Sequence, residues 1–258
     1  MYFKDHDICE RGTKSRFDPG LMAFERSAQE GWLRSIFVHA EASCLIPERV
    51  RRHCVQHVFP LMASEFVYDY KQLAECRVAT MFSQSIEEIT DFNNWLGELP
   101  HRFKAIVPGN HEFFLEADPS ERFLLSNATV LINEGIEIEG LRIWGSPVTP
   151  LYGGAFGLSS AKDRKRLYAQ IPQDIDVLIS HGPPFGILDS EPISGLHAGC
   201  RELLDGVMRV RPKLHVFGHI HGAYGVFQTE HTTFVNASLL GVHGDVDRAP
   251  FVFEMTRK

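Results

Sequence analysis

From residue 86 onward, apolar and polar positions form blocks whose period switches between helix-like and strand-like. Ile86, Ile89, Phe92 and Leu96 share one stripe at three- and four-residue spacing, and Glu87 and Glu88 fall in the first turn, where carboxylates favour the helix dipole. The spacing predicts a helix over 85–99. Short apolar runs predict strands over 105–108, 129–132, 136–138 and 141–145. A predicted helix over 161–170 precedes a strand over 177–180, and one over 201–209 precedes a strand over 213–217. Strands over 225–228, 233–236 and 251–255 finish the pattern. Helix and strand alternation that passes into a strand-rich end predicts a layered α/β domain. Gly153-Gly154, with Tyr152 and Phe156, marks a flexible loop, which either lines a cleft or is plain surface.

The first 85 residues lack this regularity. Val50-Arg51-Arg52-His53-Cys54-Val55-Gln56-His57 fits neither a clean helix nor a clean strand. Four of the five cysteines (Cys9, Cys44, Cys54, Cys76) lie here, and 11 Lys and Arg balance 11 Asp and Glu. Residues 86–258 hold 15 basic against 22 acidic residues, so the net charge of −7 belongs to the regular part.

At 258 residues the chain can bury a full core as one large domain, and 44% hydrophobic with 23% charged residues is ordinary for a soluble globular protein. The acidic balance argues against a nucleic-acid surface, which needs basic patches. The basic runs Lys162-Asp163-Arg164-Lys165-Arg166 and Arg209-Val210-Arg211 read as solvated helix faces. No apolar stretch approaches the length of a membrane span, and Met1-Tyr2-Phe3-Lys4-Asp5-His6 lacks the apolar core of a signal peptide. Five cysteines without paired spacing suggest reduced thiols and a cytoplasmic location. Nothing in the sequence sets an oligomeric state.

The candidate chemistry gathers where three predicted strands end in glycine-marked turns. Ile106-Val107-Pro108-Gly109-Asn110-His111-Glu112 delivers an amide, an imidazole and a carboxylate; Asp176-Val177-Leu178-Ile179-Ser180-His181-Gly182-Pro183-Pro184 delivers one histidine; Val216-Phe217-Gly218-His219-Ile220-His221-Gly222 delivers two. Rigid strands that hold polar groups at their ends are suited to a metal or catalytic site. Each residue also has a plainer reading. Asn110 suits a left-handed turn after Gly109, His181 a structural loop, His219 and His221 a solvated turn, and Glu112 the first turn of a helix, with no chemical role assigned to it.

Taken together, Gly-Asn-His-Glu, Ser-His-Gly-Pro-Pro and Gly-His-Ile-His-Gly-Ala-Tyr-Gly, in that order, resemble the calcineurin-like metallophosphoesterase superfamily. Within it the chain is most similar to the metallophosphodiesterase group related to the adult-brain 239 protein. Ile89-Thr90-Asp91-Phe92-Asn93-Asn94-Trp95-Leu96, Trp144-Gly145-Ser146-Pro147, His197-Ala198-Gly199-Cys200 and Val235-Asn236-Ala237-Ser238 agree with it. The likeness runs from about Ile86 to the C-terminus. It implies a metallophosphoesterase-type β-sandwich flanked by helices and a two-metal site, with Asn110, His181 and His219 mainly on one ion, His221 on the other and His111 beside the scissile phosphate. It also implies a phosphodiesterase acting on a small or nucleotide-like phosphoester. Two ions offset the anionic charge of a phosphodiester and lower the pKa of a bridging water. His111 would protonate the leaving alkoxide or stabilise charge on the phosphoryl oxygens. Mixed nitrogen and oxygen donors suit divalent manganese, iron or zinc. His197 and Tyr224 either face the substrate or pack.

The first third departs from the family. The superfamily opens with a strand ending in Asp-Xaa-His and a second ending in Gly-Asp, whose carboxylate bridges the metals. Asp5-His6-Asp7 has the wrong spacing, and the only Gly-Asp, Gly244-Asp245, follows the last histidines of the three motifs. The bridging aspartate is expected near Ala79, within Cys76-Arg77-Val78-Ala79-Thr80-Met81. Three explanations stand. The segment is a replacement that leaves a metal-poor or inactive relative; it supplies substitute ligands such as Asp69, His39 or His57; or it is translated from a shifted reading frame, the one favoured. Without the bridging carboxylate, two dications repel with less charge to offset them, so the chain is expected to bind fewer ions, or bind them more weakly. Loss of the family's first two strands is expected to leave apolar sheet edges unpaired. The alternative reading is a non-catalytic relative that keeps a phosphate-binding or structural cleft.

Overall fold

The structure, a computed structural model, describes residues 33–41, 74–79, 86–99, 101–150, 154–191, 195–238, 241, 248 and 251–256, all within the unit Trp32–Lys258. In chain order these form β1 (Leu33–Glu41), β2 (Ala74–Ala79), α1 (Ile86–Glu98), β3 (Phe103–Val107), α2 (Phe113–Ala117), a 3-10 turn (Pro119–Leu124), β4 (Thr129–Val130), β5 (Glu134–Ile138) and β6 (Leu141–Ser146). There follow α3 (Ala161–Tyr168), β7 (Val177–Ser180), α4 (Arg201–Val210), β8 (Leu214–Phe217), a 3-10 turn (His221–Ala223), β9 (Gly225–Gln228), β10 (Thr233–Asn236) and β11 (Phe251–Thr256).

Among the described residues, one sheet has the order β11-β1-β2-β3-β4 and the other β5-β6-β7-β8-β10-β9. β1 to β4 run parallel, as do β6, β7, β8 and β10, while β11, β5 and β9 are antiparallel edges. The sheets face each other, β1 opposite β8, β2 opposite β7 and β3 opposite β6.

The unbroken apolar runs have a direct cause. Ala105 and Val107 of β3, Val177 and Ile179 of β7, and Leu214 and Val216 of β8 fill the seam between the sheets. The intervening residues point the other way, Ile106 into α1 and Leu178 and Phe217 into α3 and α4. Strands covered on both faces have no solvent side, so alternation disappears. Each large side chain buried this way contributes about 1.5–3 kcal/mol. Gly145 of β6 lets that strand pack against Val107 of β3 and the following Leu131: a Cβ there would lie 2.4 Å from Leu131 Cβ and 2.8 Å from Val107 Cγ2.

Three expectations need correction. Ile86 is exposed at the start of α1, and Trp95 and Leu99 complete the buried stripe with Ile89, Phe92 and Leu96, because the helix begins before it reaches the sheet. Arg164 is buried rather than solvated. Its Nε donates to Glu202 at 2.9 Å and its Nη1 to the carbonyls of Leu158 and Ser159, which locks α3 to α4. Arg209 is exposed, in keeping with the solvated reading, while its guanidinium donates to the carbonyls of Tyr168 and Ile171 at the end of α3. Finally, the edge expected to lie open beside β3 is paired. β2 runs parallel to it, Val78 opposite Val107, and β1 runs beside β2, Glu41 opposite Ala79. The β1 segment carries the apolar run Ile36-Phe37-Val38, which no glycine turn advertises in the sequence. The segments at 5–7, 50–57, 151–153 and 244–245, with Asp69 and His57, lie outside the described residues.

Candidate functional site

The three glycine-marked turns each leave a parallel strand at its C-terminal end: Asn110 and His111 after β3, His181 after β7, His219 and His221 after β8. His181, fully buried, stands at their centre. Its Nε2 lies 2.8 Å from Asn110 Oδ1 and 3.0 Å from His219 Nδ1, and its ring meets that of His219 edge to face at 4.7 Å. Asn110 Nδ2 is 3.5 Å from His111 Nε2. His221 follows on the same turn as His219, and its electrostatic influence helps to lower His111, His181 and His219.

Electrostatics favour neutral rings. Burial, then His219, His111 and His221, holds His181 well below the ordinary histidine value. Burial pushes His219 down to about 4, helped by His221 and His111, and lowers His111, helped by His221. His221 is lowered by burial and by the Arg248 guanidinium, against a backbone hydrogen bond at Gly241 and the carboxylate of Glu191, which raise it. Neutral imidazoles present lone pairs, the form in which histidine binds a cation.

Surrounding residues hold this arrangement. Glu112 is 1% exposed and its carboxylate accepts from the Gly109 N–H, which closes the turn around Asn110 and His111. Glu112 occupies the N-cap of α2, the helix start expected of it, and its buried carboxylate adds the clasp on Gly109. A Cβ on Gly154 would stand 2.3 Å from the Asn110 carbonyl, and the next residue, Ala155, donates its N–H to that carbonyl at 2.8 Å. The backbone of His181 is pinned on both sides, its N–H to Ser146 and its carbonyl by Gly218. His219 adopts a left-handed φ of +69°, uncommon outside glycine, as the chain turns away from β8. Asn236, fully buried, donates to the carbonyls of Leu188 and Ile220 and so ties the loop after His181 to the turn that carries His219 and His221.

His215 is not singled out by the sequence, and Ser180 enters there only as the residue before His181. Ser180 Oγ donates to the Gly182 carbonyl at 2.8 Å, so it accepts from His215 Nε2, also at 2.8 Å. His215 Nδ1 has no hydrogen-bond partner, and burial pulls the ring down to about 3. The signal was a lone polar residue inside the apolar strand Leu214-His215-Val216-Phe217. Of the two doubtful residues, Tyr224 stacks on Phe251 at 4.8 Å beneath Arg248, and His197 Nδ1 pairs with Asp189 at 2.8 Å.

Asn110, His181 and His219 carry donors of the kind that could hold a divalent ion. Asn110 Oδ1, His181 Nε2 and His219 Nδ1 converge within hydrogen-bond distance, two nitrogens and a neutral oxygen. Among the described residues, no three His, Cys, Asp or Glu side chains form a group that could hold a metal ion. Ala79 ends β2, which runs parallel to β3, the strand that leads to Asn110, so β2 ends at the same end of the sheet as Asn110.

Comparison with known proteins identifies the family. Residues 69–223 match a family described as calcineurin-like phosphoesterase. The chain is 38% identical over 194 residues to human Metallophosphoesterase domain-containing protein 1, covering 65% of this chain and 60% of that protein. It is 39% identical over 174 residues to a UPF0046 protein of Caenorhabditis elegans, covering 60% and 62%. The chain thus spans about three fifths of the length of these relatives. A crystal structure 17% identical in sequence shares the fold, with a TM-score of 0.56 over 80% of this chain and 90% of that one. No helix among the described residues is long and apolar enough to cross a membrane.

Proposed function

Since this chain belongs to the calcineurin-like phosphoesterase family, we propose that it is a metal-dependent hydrolase of phosphoester bonds, a phosphodiesterase for a small or nucleotide-like substrate. The observation that carries the reading is that Asn110 Oδ1 and His219 Nδ1 both lie within hydrogen-bond distance of His181 Nε2. Asn110, His181 and His219 would hold a divalent ion, manganese, iron or zinc, and His221 would serve a second ion if one binds. Such an ion would offset phosphoryl charge and lower the pKa of a water. His111, one residue from Asn110 and in contact with its amide, would stand beside a bound phosphate and either protonate the leaving oxygen or stabilise charge on the phosphoryl oxygens. Neutral protein donors leave the net charge at the centre to the ion, which favours an anionic substrate. Residues 86–258 carry this machinery behind an atypical first segment, and the five cysteines suit a cytosolic setting.

Ala79 supports a second reading, a non-catalytic relative that binds phosphate without turnover. Hydrolysis of bis-p-nitrophenyl phosphate with manganese, iron and zinc separates the two. Turnover that His111→Ala and His219→Ala each abolish is the expected result. Phosphate binding without turnover establishes the second reading, and a protein that keeps its metal with neither turnover nor phosphate binding is a structural metal protein.

A further inference from the structure

Asp189 and His197 form an acid–base pair on the loop that begins at His181. Asp189 is 1% exposed, and its carboxylate accepts three hydrogen bonds, from the N–H groups of Gly186 at 2.8 Å and Gly199 at 3.0 Å and from His197 Nδ1 at 2.8 Å. A buried carboxylate with three donors is fixed in place, and an imidazole that donates Nδ1–H to it is fixed as one tautomer. The His197 side chain is 49% exposed and its ring leans on Phe185 at 5.3 Å, so Nε2 is the nitrogen left for solvent or substrate. The loop's position is equally constrained. Asn236 binds Leu188, the residue before Asp189, and Ile220, the residue between His219 and His221. Ser190 bridges to His197, and the following Glu191 is close enough for its charge to act on His221.

We propose that His197 is a catalytic residue that protonates the leaving oxygen of the phosphoester, and that Asp189 is its positioning residue. The proposal rests on the hydrolase reading above. In the step, a hydroxide formed from water makes the new P–O bond, and the P–O bond to the alcohol breaks with its electron pair on oxygen. Nε2 gives its proton to that oxygen, and the ring regains the proton that water released. The Asp189 carboxylate keeps Nδ1 protonated throughout and faces the charged ring with a counter-charge. This leaves His111 on the phosphoryl-oxygen side.

The test compares leaving groups. p-Nitrophenolate departs without help, whereas an alkoxide needs its proton during departure. His197→Gln and Asp189→Asn are assayed on bis-p-nitrophenyl phosphate by colour and on glycerophosphoethanolamine by phosphorus NMR. The expected result for His197→Gln is a loss of about a hundredfold on the alkyl diester, the lower end for general acid catalysis, with the aryl diester held within about threefold. Asp189→Asn is expected to follow the same selectivity and to release His197 into mixed tautomers in nitrogen-edited NMR of the rings. Equal losses on both esters, or none on either, overturn the proposal while leaving the hydrolase reading intact. A wild-type chain that turns over neither ester overturns both.

Discussion

His181 and His219 sit edge to face with Nε2 of the first 3.0 Å from Nδ1 of the second, although they are 38 positions apart in the chain, with a helix and a strand between them. Two buried nitrogens at that distance share one proton, or give both lone pairs to one cation. If the cation is the natural occupant, zinc or manganese at a hundredfold excess over Kd should stabilise the fold by about 2.7 kcal/mol. For a chain of this size that raises Tm by roughly 5–10 °C. Thermal melts with metal, with chelator and with His219→Ala check it, and a Tm indifferent to metal counts against the site.

His215 makes stability depend on acid. Its folded value is pushed down to about 3 by burial, whereas in the unfolded chain histidine titrates near its model value of 6.5. Between these values the unfolded chain binds the proton that the folded chain refuses, so stability rises with pH. The contribution is complete above about 6.5 and is lost progressively as pH falls towards about 3, on the order of a few kcal/mol. Urea midpoints measured across this window should flatten in His215→Gln, which can still donate to Ser180 but does not titrate. A slope unchanged by the substitution assigns the acid sensitivity elsewhere.

Gly154→Ala drives a methyl group into the Asn110 carbonyl. Backbone cannot swing aside as a side chain can, so Asn110 must shift, at a cost of about 1–3 kcal/mol. Hydrolysis and metal affinity should fall together by more than the loss of Tm alone explains. Retained activity in a folded variant shows that Asn110 tolerates displacement.

Glu112→Ala removes the acceptor that closes the Gly109 turn and leaves that buried N–H unsatisfied, costing about 1–3 kcal/mol. Glu112→Gln keeps an acceptor and should recover most of the stability. If the two variants melt together, the clasp contributes nothing through its hydrogen bond.

Several features were legible without coordinates. The apolar runs of β3, β7 and β8, the stripe of α1 and the glycine-marked turns are local patterns, set by residues a few positions apart, and they point to a layered α/β fold with polar groups at strand ends. The motifs around Asn110, His181 and His219 carried the family resemblance for the same reason. What tertiary structure decided depends on contacts between distant segments. β3 belongs to one sheet and β7 and β8 to the other, so only the stacking of the sheets brings Asn110 to His181. Burial then determines roles that residue type leaves open. Arg164 reads as a surface charge and Glu112 only as a helix-start carboxylate, and both are buried clasps; His215 sits unnoticed in a strand until Ser180 faces it; Asp189 acquires meaning when the loop folds His197 back onto it. A buried polar group must find a partner, and that partner is chosen by the packing of the whole molecule rather than by its neighbours in sequence.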